Sequence, residues 1–244
     1  MQARKTNELL CEEVRLFSGT ITDNKRKSPL TLLVSPLKND REKRKILPHK
    51  NKVNSPVIPE NETGEITLRV VKGNPDLDQY DHILQYMLHL AGIGQRARRG
   101  FGAIQWQSHR WESIEEFSRS LKSVLERLEA ADRYIWNPDL HCLLKKKDDV
   151  TVSHPFLYAV YIGEGKESAK EAVMEIGYAS HYGNRKGSLG SSNPRKASPL
   201  WCTVRKIGAL YYPVITELRT NWKADFGSRY EQEKRIFLES LGVK

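Results

Sequence analysis

The chain has 244 residues, enough for one large domain or two small ones and long enough to bury a core. Lys and Arg number 40 against 30 Asp and Glu, a formal charge of +10. That excess points to a polyanionic partner, nucleic acid ahead of an anionic membrane. No apolar run is long enough to read as a transmembrane helix, and the N-terminus lacks the apolar stretch of a secretory signal. A cytoplasmic location is therefore expected. Cys11, Cys142 and Cys202 lie far apart with no CxxC spacing, which argues for reduced thiols rather than a disulfide scaffold or a structural zinc site. No metal and no cofactor is expected.

In chain order, Leu9, Leu10, Val14 and Phe17 keep helical spacing up to Ser18-Gly19. Leu30 to Val34, entered through Ser28-Pro29, reads as a strand. Residues 38–63 carry Lys38, Arg41, Lys43, Arg44, Lys45, Lys50 and Lys52 with little to bury, and read as a long loop or a flexible β-hairpin. Such a segment fits an RNA-reaching finger and a solubilising loop equally well. Glu65 to Val71 alternates as a strand and stops at Gly73-Asn74-Pro75. Leu77, Tyr80, Ile83, Leu84, Met87, Leu88 and Ala91 then mark a helix with one core face, closed by Gly92. Phe101 to Gln107 reads as a further strand.

From Glu112 a second unit begins. Ile114, Phe117, Leu121, Val124, Leu125 and Leu128 predict a long amphipathic helix. Strands are predicted at Phe156 to Ile162, Leu200 to Val204 and Leu210 to Leu218, and helices at Ser168 to Tyr178 and Arg229 to Leu241. Residues 182–197 read as a Gly/Ser/Asn loop. Both halves mix helices with short strands, giving an α+β class with units at 1–111 and 112–244. An internal echo supports two related units. Residues 17–34 and 182–204 each run from an aromatic and a glycine through a basic loop into Ser-Pro-Leu and a strand ending in Val.

The most specific segment is Gly92-Ile93-Gly94-Gln95-Arg96-Ala97-Arg98-Arg99-Gly100-Phe101-Gly102. Its glycines permit positive φ and close approach of a ligand to the backbone. Exposed N–H groups in such turns form anion-binding concavities. Arg96, Arg98 and Arg99 add forked donors that match phosphate. The segment follows a helix and precedes a predicted strand, the reverse of the Rossmann order, and it lacks the GxxxxGK[ST] of a Walker loop.

This string resembles the C-terminal glycine-rich loop of the RAMP superfamily of CRISPR-associated proteins. Gly92, Gly94, Arg96, Arg98, Gly100, Phe101 and Gly102 all match, and Ala97 fills the small position. Within the superfamily the pattern is most like the first-numbered subunit family of the type III-B (Cmr) effector, with the sixth-numbered subunit family as the nearest competitor. The resemblance implies two tandem ferredoxin-like (RRM-like) units. The apolar-Arg-Gly opening of the family has no counterpart before residue 13, so the first unit is expected either to lack its N-terminal strand or to receive it in trans. It also implies a non-catalytic RNA-binding subunit of a type III-B CRISPR ribonucleoprotein in antiviral defence. Partners would be single-stranded RNA, guide or target, and the other effector subunits.

Residues 176–216 contain no Asp or Glu but include Arg185, Lys186, Arg195, Lys196, Arg205 and Lys206, with Tyr182, Trp201, Tyr211 and Tyr212 alongside. Basic groups beside aromatics suit single-stranded RNA. The expected RNA-binding set is Gly92, Gly94, Arg96, Arg98, Arg99, Gly100, Phe101, Gly102, Arg185, Lys186, Arg195 and Lys196, with the open faces of the ferredoxin-like sheets as further surface. The alternative is a metal-independent endoribonuclease that processes guide RNA through His89 or His49. HExxH, HxH and GxSxG are all absent, which favours no enzyme. A scaffold that uses its basic patches on acidic neighbours is the third reading.

Overall fold

The computed structural model describes residues 11, 13–14, 16, 19–21, 24–35, 42–45, 54–60, 62–107, 110–146, 155–220 and 227–243. The chain divides into two compact units, one of Met1–Ile46 with Lys50–Asp78 and one of Gln79–Lys244 with Leu47–His49. The division falls upstream of the 111/112 boundary expected from sequence. Residues 79–111 are hydrogen-bonded to the later sheet, as described below.

In the first unit Cys11, Glu13, Val14 and Leu16 are helical, and the remaining positions of that predicted helix lie outside the described residues. Three antiparallel pairs follow: β1 (Gly19–Ile21) with β2 (Asn24–Arg26), β3 (Leu30–Val34) with β6 (Ile66–Val70), and β4 (Glu42–Lys45) with β5 (Asn54–Val57). Within residues 38–63 the described part forms the antiparallel pair β4–β5, and the rest of that predicted segment lies largely outside the described residues.

Helix α1 (Leu77–Leu90) leads into the second unit. Helix α2 (Ile114–Arg127) starts at Ser113, whose hydroxyl accepts from the N–H of Glu116, while the Glu116 carboxylate accepts from the N–H of Glu112. This reciprocal arrangement satisfies donors that a helix start leaves unpaired. Strands β7 (Tyr134–Asn137) and β8 (Cys142–Lys145), absent from the sequence reading, form a hairpin around Pro138-Asp139. Then come β9 (Phe156–Ile162), α3 (Ala169–Tyr182), the short pair β10 (Ser191–Ser192) and β11 (Arg195–Lys196), β12 (Leu200–Ile207), β13 (Leu210–Arg219) and α4 (Ser228–Glu239).

One antiparallel sheet runs β12-β13-β9-β8-β7. The succession β9, α3, β12, β13, α4 is a ferredoxin-like β-α-β-β-α path. The place of its fourth strand, beside β9, is taken by β8, which comes earlier in the chain. On one face Leu200, Cys202, Val204 and Ile215 pack with Ile176 of α3 and Phe237 of α4. On the other, Val160, Ile162, Val214 and Ile207 pack with Phe117, Leu121 and Leu125 of α2. This corrects the expectation of an open sheet face for RNA in this unit, because the apolar stripe of α2 covers it. Among the described residues no helix is long and apolar enough to cross a membrane.

Candidate nucleic-acid interface

The glycine–arginine loop is fastened to the exposed edge of β12. Arg99 bridges to Cys202 in parallel register, the N–H of Gly100 donates to Cys202 O (2.9 Å), and the N–H of Cys202 donates to Arg98 O (3.2 Å). The parallel register places the tip, Gly94 to Arg98, at the N-terminal end of β12. The predicted strand Phe101–Gln107 does not form. Instead the Gln105 side chain pairs with both backbone groups of Lys206 at 3.3 Å, replacing a strand's ladder with one amide.

Each glycine has its own reason. A Cβ on Gly102 (φ +65°) would lie 1.7 Å from Ile93 O, and one on Gly92 would lie 2.8 Å from Phe101 O, so the two ends of the loop close back to back. The N–H of Ile93 donates to Gly102 O across that closure (2.9 Å). A Cβ on Gly100 (φ +88°) would lie 2.9 Å from Ile176 of α3. Gly94 (φ +85°) faces open space and provides turn geometry at the tip. Phe101 is half-buried, as a pin for the loop.

The arginines divide by role. Arg98 is exposed, with its guanidinium 4.3 Å from the centroid of the Trp201 ring. Arg96 adopts φ +62°, a left-handed conformation that a long side chain adopts at a cost. Its buried Nε has no hydrogen-bond partner among the described residues. Burial, and then the like charge of Arg99, hold its pKa below the ordinary arginine value. An anion at the tip would relieve both conditions.

Arg205 is the residue the sequence reading misplaced. It was counted with the basic surface, but it is fully buried. It donates from Nε to His89 O (3.0 Å), from Nη1 to Ile104 O (2.9 Å) and from Nη2 to Ala91 O. His89 and Ala91 end helix α1, whose unpaired carbonyls favour a cation. Burial pushes the Arg205 pKa down to about 9, which leaves it charged at neutral pH. One guanidinium on β12 thus holds both the helix that enters the loop and the segment that leaves it.

The later basic segment is also built rather than loose. The carboxylate of Glu233 on α4 accepts from the N–H groups of Lys186 and Ser188 and from the Ser188 hydroxyl. Asn184 bridges Gly190 O and the N–H of Leu189. Residues 182–197, read as a Gly/Ser/Asn loop, therefore have internal anchors. Arg185 and Lys186 project outward from them, as does Arg195 on β11, while Lys196 is half-buried. Since β11 runs into Leu200, Arg195 and Lys196 lie toward the same end of β12 as Arg98 and Arg99. The acid that closes the acid-free stretch, Glu217, is fully buried and accepts from Tyr161 (2.9 Å), Tyr230 (3.0 Å) and Arg219 (2.6 Å). Burial, and the carboxylate beside them, raise both phenol pKa values, so both remain O–H donors. Sequence alone gave no signal for this network, since Glu217 sits within an ordinary strand pattern.

His89 is 1% exposed. Its Nδ1 lies 2.7 Å from Gln85 O and its Nε2 2.9 Å from the Ser120 hydroxyl, and its ring packs on Trp111 and Phe117. Both nitrogens are engaged, so the residue is a core histidine. His49 lies outside the described residues.

A model of the RAMP superfamily matches residues 2–105. The glycine–arginine loop falls inside that matched stretch. The whole structure is similar to the crystal structure of Cmr1 from Pyrococcus furiosus in its apo form, with a TM-score of 0.51 and 17% identity, covering 89% of this chain and 73% of that one. At that identity the likeness shows the fold alone. No curated protein matches the chain.

Proposed function

We propose that this chain is a non-catalytic, RNA-binding subunit of a type III-B CRISPR ribonucleoprotein that takes part in antiviral defence. The observation that carries the reading is Arg96. It combines a left-handed backbone, a buried Nε without a partner and a neighbouring arginine, in a loop whose Gly94, Gly100 and Gly102 all hold positive φ. Strain and unsatisfied donors concentrate where a ligand completes the site. Arg98, over the Trp201 ring, and Arg99 extend the grip along a phosphate backbone. Arg195 and Lys196 continue it at the same sheet end.

Phosphate contacts of this kind position a strand without reading its sequence, which suits a subunit that holds RNA for neighbouring proteins. The buried, doubly engaged His89 speaks against the endoribonuclease alternative at this loop. The test is binding of single-stranded RNA across a salt titration by the wild type and by Arg96→Ala/Arg98→Ala/Arg99→Ala, with far-UV circular dichroism as the folding control. Each lost phosphate contact flattens the log–log slope by ~0.7. A triple variant with lower affinity and a flatter slope supports the reading. Equal slopes, or cleaved RNA, overturn it.

A further inference from the structure

The solvent face of α3 carries an aromatic feature that the loop does not use. Tyr178 and Tyr182 stand one turn apart, 39% and 57% exposed. Their rings are nearly parallel, 20° between planes with centroids 6.4 Å apart, and His181 meets Tyr182 edge-on at 5.1 Å. Neither phenol has a hydrogen-bond partner among the described residues. Neither ring belongs to the core cluster beneath the helix. The core contacts of α3 run through Ala172, Ile176 and Ala179 on another face of the helix.

Charge is graded along the same face. Glu171 and Glu175 lie toward the N-terminal end, and Lys166 is 3.1 Å from Glu175. From Ile176 onward no acid occurs until Glu217, and just past the helix Arg185 and Lys186 are exposed. Glu233, the acid close to them, is occupied by the backbone of 186 and 188. We propose that Tyr178 and Tyr182 form a base-stacking platform for single-stranded RNA, with Arg185 and Lys186 taking the phosphates that follow. This deepens the RNA-binding reading and rests on it.

Stacking is the interaction that fits the site. A helix C-terminus disfavours an anion, so bases rather than phosphates belong on the tyrosine faces. Phosphates belong beyond the helix end, where the cations stand. Every base has a π-face, so such a platform accepts any sequence. A protein partner would call for aliphatic surface around the rings. Here the neighbours at the helix end are His181, Gly183 and Asn184.

The experiment measures affinity of the full chain for labelled single-stranded oligouridylate and for an abasic oligoribonucleotide of equal length. Three forms are compared: wild type, Tyr178→Ala/Tyr182→Ala and Tyr178→Phe/Tyr182→Phe. The alanine pair is expected to lose roughly 5- to 150-fold for each base stacked on oligouridylate, with an unchanged salt slope. The phenylalanine pair should bind as wild type does, and all three should bind abasic RNA alike. If the alanine pair binds oligouridylate like wild type while the loop triple variant still loses affinity, the platform falls, the loop reading stands, and the patch passes to a protein partner. If wild type binds neither RNA at low salt, both fall.

Discussion

At Ser28 and at Ser198 the hydroxyl oxygen accepts from the backbone N–H of the leucine two residues on, at 3.2 Å in each case. The carbonyls of the following prolines, Pro29 and Pro199, each accept from the partner strand, from the N–H of Val71 (2.8 Å) and of Leu218 (2.9 Å). The repeated Ser-Pro-Leu string is therefore repeated in hydrogen bonding as well as in letters. Beyond this shared entry the strands part. Leu32 is 55% exposed, whereas Cys202, at the matching position, is 1% exposed. β3 has one partner strand, while β12 belongs to a five-stranded sheet with helices on both faces. The comparison teaches that a local turn sets where a strand begins, and that layers of helix decide whether it becomes core.

The largest test of that difference lies five residues past each leucine, at Arg205 and Ser35. Arg205 supplies donors to three carbonyls in the interior. Arg205→Met removes this donor from His89 O and Ile104 O and leaves Ala91 O only the Thr203 hydroxyl (3.3 Å), at a cost of about 3–5 kcal/mol. Ser35 accepts a single exposed hydrogen bond from the N–H of Glu65 (2.7 Å), and Ser35→Ala should cost under about 1 kcal/mol. Denaturant unfolding of the two variants checks the ratio. Equal losses would mean that Arg205 is not the clasp of the loop.

This pair also shows what the sequence made legible. The loop was visible because four glycines among three arginines have few other uses, and the positive φ of Gly94, Gly100 and Gly102 is what those glycines permit. The helices at 77–90 and 114–127 followed from apolar spacing, and the one at 169–182 was legible only as far as Tyr178. Arg205 was not legible, since a lone arginine in a β pattern reads as surface and its partners are backbone carbonyls more than 100 residues away. For the same reason Phe101–Gln107 read as a strand. Gln105 supplies with a side chain what a ladder would supply with backbone. The covering of the sheet by α2 is a tertiary fact that an amphipathic stripe announces without naming its target.

A middle-sized effect concerns the anchor behind Arg185 and Lys186, which has no counterpart in the described part of the first unit. Burial alone would raise the Glu233 pKa. Hydrogen bonds from Ser188 and from the N–H groups of Lys186 and Ser188 outweigh it and hold the carboxyl below its usual range. A carboxyl depressed in the folded state stabilises the fold above its unfolded pKa, about 4.3, and that stability is lost as pH falls through the folded value. Glu233→Gln should therefore lower the unfolding free energy at pH 7 by on the order of 1–3 kcal/mol, and the gap to wild type should narrow below pH 4. A gap constant with pH would mean that the ionised carboxylate is not the anchor.

The smallest effect, and the sharpest for the repeat itself, is removal of the two entry hydroxyls. Ser28→Ala and Ser198→Ala each delete one short-range hydrogen bond to a strand's first N–H, worth about 0.5–1.5 kcal/mol. The Ser198 hydroxyl also donates to Leu200 O (2.9 Å), and Leu200 is fully buried, so its N–H has no water to turn to. The N–H of half-exposed Leu30 can be reached by solvent. Ser198→Ala should fall at the upper end of the range and Ser28→Ala near the lower, read as a difference in unfolding midpoint at constant m. Equal small losses would show that both hydroxyls only shape the turn. A larger loss at Ser28 would show that the first-unit ribbon is as enclosed as β12, and would reverse the contrast between the two strands.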